Sequence, residues 1–101
     1  MMKLAKIDIP IEDLADWCRR NPVQELALFG SALTVELTED SDVDFLITFK
    51  PEARVGFLTL ARAQRELEAI LGRRVDLVPK SGLKPAIRNE VLSSAQVLYA
   101  A

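Results

Sequence analysis

No histidine occurs among the 101 residues, and there is one cysteine. Without histidine the chain cannot assemble a Ser-His-Asp or Cys-His nucleophile, and imidazole cannot hold a metal. A single thiol, Cys18, excludes an internal disulfide and a cysteine zinc cage. Its place in an amphipathic stretch reads it as a small core residue. No apolar run approaches the roughly 20 residues needed to span a bilayer. No signal-peptide pattern opens the chain, so the expectation is a cytoplasmic protein without membrane contact. Basic residues are not in excess either. The net charge is −2 and the pI about 5.1, which argues against direct nucleic-acid binding. Lysines and arginines do gather in the second half, at Arg62, Arg65, Arg73, Arg74, Lys80, Lys84 and Arg88. They read either as a local basic face or as solvated helix surface.

What is present is a modest core. Half of the residues are hydrophobic, enough for one two-layer domain over residues 1–101. No repeat, linker or low-complexity stretch interrupts it. Apolar positions Ile11, Leu14, Ala15 and Cys18 recur at helical spacing, with Pro10 before them and Asn21-Pro22 after. Residues 23–29 read as a strand interrupted by Gln24 and Glu25. Residues 32–37 read as a helical turn, and residues 38–41 as a polar loop. Residues 43–49, VDFLITF, are almost continuously apolar, which suits a central strand. Residues 55–71 read as the longest helix, with Leu58, Ala61, Leu67, Ile70 and Leu71 on one face and Gly72 capping it. Residues 75–78 form a strand stopped by Pro79. Residues 85–94 form a helix with a stripe of Ile87, Val91 and Leu92, and residues 97–99 a short last strand. The pattern predicts an α/β sandwich with a small mixed sheet.

Within that pattern the acidic residues are out of place. Asp42 and Asp44 flank Val43 at the mouth of the apolar strand, and residues two apart share a face. Asp76 interrupts a later apolar strand, RVDLV, where a lone aspartate is poor strand chemistry. If the two strands are neighbours, about 4.8 Å apart, three carboxylates converge. Such a set would repel strongly unless cations lay between, and two Mg²⁺ ions roughly 3.5–4 Å apart would neutralise it. Gly30-Ser31 closes the strand before. It lies at the same sheet edge if that strand runs antiparallel to 43–49. There Gly30 would admit a ligand close to backbone N–H groups, and Ser31 would add a hydroxyl. An anion cradle facing a cation cage suits a metal–nucleoside triphosphate. The blander alternatives are a plain turn at Gly30-Ser31, a loop aspartate at Asp42, and Asp76 paired with Arg73 or Arg74.

Gly30-Ser31, ten residues, Asp42-x-Asp44 and a later strand aspartate, Asp76, resemble the nucleotidyltransferases of the DNA polymerase β superfamily. They resemble more closely the minimal nucleotidyltransferases that serve as antitoxins in HEPN–MNT toxin–antitoxin pairs. The likeness runs from about Pro22 to Val78, and LKPAIRNEVLSSAQVLY resembles the family's usual ending. The resemblance implies a polymerase β palm-like fold, a small mixed sheet packed with helices. It implies a Mg²⁺-dependent reaction in which an acceptor hydroxyl attacks the α-phosphorus of ATP and pyrophosphate leaves. On this analogy Asp42, Asp44 and Asp76 hold two metal ions, Asp76 helps to activate the acceptor, and Gly30 and Ser31 hold the β- and γ-phosphates. The implied acceptor is a tyrosine on a HEPN toxin, in a hetero-oligomer. A chain of this length leaves little room for a second domain to grip an acceptor, which fits an acceptor that is itself a protein. The alternative is an antitoxin that neutralises its toxin by binding alone. One departure bears on the choice. Many relatives follow Gly-Ser with Arg-Ala-Arg-Gly, and here stand Ala32, Leu33, Thr34 and Val35. Two cations near the expected triphosphate are missing, and Arg73, Arg74 and Lys80 are the candidate replacements.

Overall fold

A hairpin of two three-residue strands, β1 (Met2–Leu4) and β2 (Ile7–Ile9), opens the chain. The computed structural model describes residues 2–4, 7–29 and 42–101. Strands of three residues are too short to show a period of two, so the sequence pattern carries no sign of this hairpin. Helix α1 (Ile11–Arg20) follows and buries Leu14, Trp17 and Cys18. Glu12 and Asp13 occupy its first turn, and Arg19 and Arg20 its last, which matches the helix dipole at both ends. Burial pushes the Cys18 thiol up to about 12, against a smaller opposing pull from Arg19. Cys18 is therefore an inert core residue, as its spacing suggests.

Strand β3 (Val23–Phe29) runs antiparallel to β4 (Val43–Phe49). The pairing slips between Val23 and Glu25, and this bulge accounts for the two polar residues that interrupt the strand's apolar run. Helix α2 (Phe57–Leu71) then crosses to β5 (Val75–Pro79), which pairs parallel with β4. Gly72 ends α2 in the left-handed conformation at φ 69°, where glycine avoids the Cβ clash. A 3-10 turn, Lys80–Gly82, leads to α3 (Pro85–Ser94) and β6 (Gln96–Ala100). The sheet order is β5-β4-β3-β6, so the apolar strand β4 is internal, as expected.

Two apolar layers cover the sheet. Leu26, Leu28, Phe45, Ile47 and Val75 pack with Leu14, Trp17 and Leu67 of α1 and α2. On the opposite face Ala27, Leu46 and Val78 pack under Leu83 and the α3 residues Val91 and Leu92. Trp17 Nε1 donates to Glu66 Oε1 at 2.8 Å and ties the two helices of the first layer together. Two expected core residues turn outward. Leu58 is 80 % exposed, because α2 begins at Phe57 and faces the sheet through Leu60, Ala63 and Leu67, a stripe on the far side from Leu58. Ile87 is 45 % exposed, since α3 reaches the sheet only near its C-terminal end.

The free edge of β5 is closed by α2. Val75 N–H donates to Glu68 Oε2 at 3.0 Å, and Leu77 N–H donates to Gln64 Oε1 at 3.4 Å. Backbone donors that would otherwise face outward are thus satisfied by side chains. Among the described residues, no helix is long and apolar enough to cross a membrane.

Candidate active site

Parallel pairing sets Asp44 directly beside Asp76, between the pairs Val43–Val75 and Phe45–Leu77. Alternation along the strands then decides which face they occupy. Leu46 and Val78, two residues on, lie in the α3 layer, so Asp44 and Asp76 project to that same side. The α3 layer covers Leu46 and Val78; Asp76 is exposed and Asp44 is half-buried. On its other flank Asp44 pairs with Phe29, the last residue of β3. The expected antiparallel neighbour is therefore in place. Gly30 and Ser31, with the expected turn at 32–37 and loop at 38–41, lie outside the described residues.

The electrostatics agree with a convergence of the acids. The Asp44 carboxyl is pushed up to about 6 from its ordinary 3.8. Burial is the larger cause, and the charges of Asp76 and then Asp42 add to it. Asp42 is exposed at the mouth of β4 and forms an ion pair with Arg74, whose Nε lies 3.2 Å from its Oδ1. Arg74 thus pairs with Asp42, whereas the blander alternative in the sequence is a pair of Asp76 with Arg73 or Arg74. The backbone reinforces this junction, since Val43 N–H donates to the Arg74 carbonyl at 2.9 Å.

The donor chemistry fits a hard divalent cation. All three side chains are carboxylates, with no nitrogen or sulfur among them, and a cation there would offset both the burial of Asp44 and the like charges of Asp76 and Asp42 that oppose its ionisation. The arrangement is nonetheless open. Among the described residues, no three acidic groups close on a common point suited to a metal ion, and Arg74 holds Asp42.

Lys80 does not belong to this site. It lies four residues beyond Asp76, about 13 Å along the strand at the usual rise. There its Nζ pairs with Glu25 Oε1 at 3.4 Å. That end of β4 and β5 holds a groove of about 410 Å³ lined by Ile47, Phe49, Val55, Leu60, Pro79 and Lys80. Of the three candidate substitutes for the missing cations, Lys80 is thus displaced by geometry, and Arg74 is seen against Asp42. The sequence carries no signal for the Arg74–Asp42 contact, because it depends on how the connection from α2 enters the sheet.

Residues 13–98 match the model of the nucleotidyltransferase domain family. The chain belongs to the nucleotidyltransferase family. Within it the chain is 47 % identical over 77 residues to the protein adenylyltransferase MntA of Thermococcus cleftensis, covering 76 % of this chain and 74 % of that one. The fold agrees. A toxin–antitoxin crystal structure with AMP-PNP contains a chain that superposes with a TM-score of 0.75 at 19 % identity, covering 92 % of this chain and 75 % of that one. An MNT antitoxin in complex with a tri-AMPylated HEPN toxin of Shewanella oneidensis gives 0.66 at 19 % identity, covering 90 % and 70 %. A structure described as a putative minimal nucleotidyltransferase superposes with a TM-score of 0.71 at 38 % identity, covering 84 % of this chain and 85 % of that one, in keeping with the four-stranded mixed sheet and three helices among the described residues.

Proposed function

We propose that this nucleotidyltransferase is an antitoxin that transfers AMP from ATP to a tyrosine hydroxyl of a partner HEPN toxin. The observation that carries the reading is the register of Asp44 against Asp76, with Asp42 two residues away at the mouth of the same strand. The 47 % identical relative is a protein adenylyltransferase, which supports a protein as acceptor. Asp42, Asp44 and Asp76 are the residues that would hold divalent cations, and Gly30 and Ser31 those that would receive the β- and γ-phosphates. Bound there, the cations would supply positive charge to the phosphates and bring the three carboxylates together. The acceptor oxygen bonds to the α-phosphorus, the bond from that phosphorus to the bridging oxygen breaks, and pyrophosphate leaves with the electron pair. Asp76, exposed at the rim of the site, accepts the hydroxyl proton. ATP supply and a protein acceptor both fit the cytoplasm.

The test is direct. The chain, ATP and Mg²⁺ incubated with the cognate toxin should add the mass of one AMP to each modified hydroxyl. A toxin left unmodified while ATP is demonstrably bound would overturn the reading. A second reading, neutralisation by complex formation alone, is favoured by the loss of cations at Ala32 to Val35. Protection of cells by the Asp44→Asn variant as fully as by the parent chain would establish it.

A further inference from the structure

Arg74 sits at the junction that binds the two acidic strands together. Its carbonyl accepts from Val43 N–H at 2.9 Å, so its backbone is anchored between Asp42 and Asp44 whatever its side chain does. The guanidinium rests on Asp42 at 3.2 Å, with the two side chains 71 % and 51 % exposed. An ion pair so open to water contributes little to holding the guanidinium on Asp42, so a competing charge at that carboxylate can displace it. Two further observations give that displacement a direction. The positions after Gly30-Ser31 carry no cation, and Lys80 is committed to Glu25 at the far end of the strands. A triphosphate brought to Asp44 and Asp76 therefore needs positive charge from elsewhere on this chain. The planar guanidinium, with its fork of donors, matches two phosphate oxygens at once, which an ammonium does not.

We infer that Arg74 is a phosphate ligand held in reserve: it occupies Asp42 until a divalent cation claims that carboxylate, and then turns to the nucleotide's triphosphate. This rests on the nucleotidyltransferase reading of the site and names the residue that replaces the missing post-Gly-Ser cations. Two binding partners are predicted to respond in opposite directions. For the AMP-PNP complex of Mg²⁺, Arg74 is a ligand. For Mn²⁺ alone, Arg74 is a competitor at Asp42.

Calorimetric titration of the whole chain with Mg²⁺–AMP-PNP, and separately with Mn²⁺, tests this in the parent, Arg74→Lys and Arg74→Gln. Losing the charged contact should weaken Mg²⁺–AMP-PNP binding about tenfold to a hundredfold in Arg74→Gln. Arg74→Lys should recover part of that loss, and Mn²⁺ alone should bind Arg74→Gln as tightly as the parent or tighter. A structural role would weaken both ligands together and lower the unfolding midpoint, and that result overturns the proposal. So does equal Mg²⁺–AMP-PNP affinity in all three proteins. A parent chain that binds no Mg²⁺–AMP-PNP overturns the nucleotidyltransferase reading first and this proposal with it.

Discussion

Strands β4 and β5 lie side by side from the Val43–Val75 pair to the Ile47–Pro79 pair, and their two ends differ in kind. At the entry end Asp44 meets Asp76, Asp42 adds a third negative charge, and Arg74 pairs with Asp42. At the exit end Ile47 is 1 % exposed, Pro79 closes the strand, and Lys80 and Glu25 neutralise each other beside an apolar groove. The backbone scaffold is the same at both ends. One end is built for stability, with its charges matched. The other holds like charges together on a rigid frame, an arrangement that gains from an added cation and loses without one.

The comparison breaks most visibly at Asp44. Asp44→Asn should reduce AMP transfer at least about a hundredfold, the upper figure for losing mere outer support of a metal ligand. Its folded stability at neutral pH should hold or rise, because burial and two neighbouring charges oppose ionisation of that carboxyl. Mass analysis of the toxin and a denaturant titration of the variant together check both halves. At the other end the outcome reverses. Ile47→Ala removes a fully packed side chain and should lower unfolding free energy by about 2–5 kcal/mol. Its nucleotide affinity should stay near the parent's wherever the variant is folded, as titration with Mg²⁺–AMP-PNP will report.

Acidity sharpens the contrast further. Asp44 ionises near 6 in the fold against 3.8 ordinarily, so between those values the folded chain holds a proton that the unfolded chain has released. Its contribution to stability is therefore greatest below pH about 4, falls as pH rises to about 6, and is constant above that. The difference between denaturant midpoints of the parent and of Asp44→Asn, followed across that window without added metal, isolates the effect. Saturating Mn²⁺ should flatten it. The smallest change belongs to Lys80→Ala. Its pair with Glu25 is partly exposed, so the loss should stay within about 1 kcal/mol, with nucleotide binding unaltered. A marked fall in nucleotide affinity would return Lys80 to the site.

Much of this architecture is legible in the residues themselves, for identifiable reasons. The bounds of α1, β3, β4 and α3 follow from punctuation, since Pro10, Asn21, Lys50 and Pro85 leave each element few ways to extend. The sequence puts Asp44 and Asp76 together only if their strands are neighbours, and the parallel pairing meets that condition. What stays hidden depends on long-range geometry. Arg74 is two residues from Asp76 but 32 from Asp42, and only the pairing of β4 with β5 brings it to Asp42. Leu58 is a different case: it lies nine residues before Leu67, half a turn out of phase at about 3.6 residues per turn, so a helix that buries Leu67 turns Leu58 outward and the single face read for both does not fit the period. The bulge at Val23–Glu25 looks like an interruption because alternation cannot register an extra residue.

Glu68 and Gln64 occupy the outward backbone donors of Val75 and Leu77, so no additional strand can be accreted there without evicting a helix side chain from each. Among the described residues the strand bearing Asp76 is thereby kept outermost on its side, with its exposed carboxylate at the boundary of the sheet.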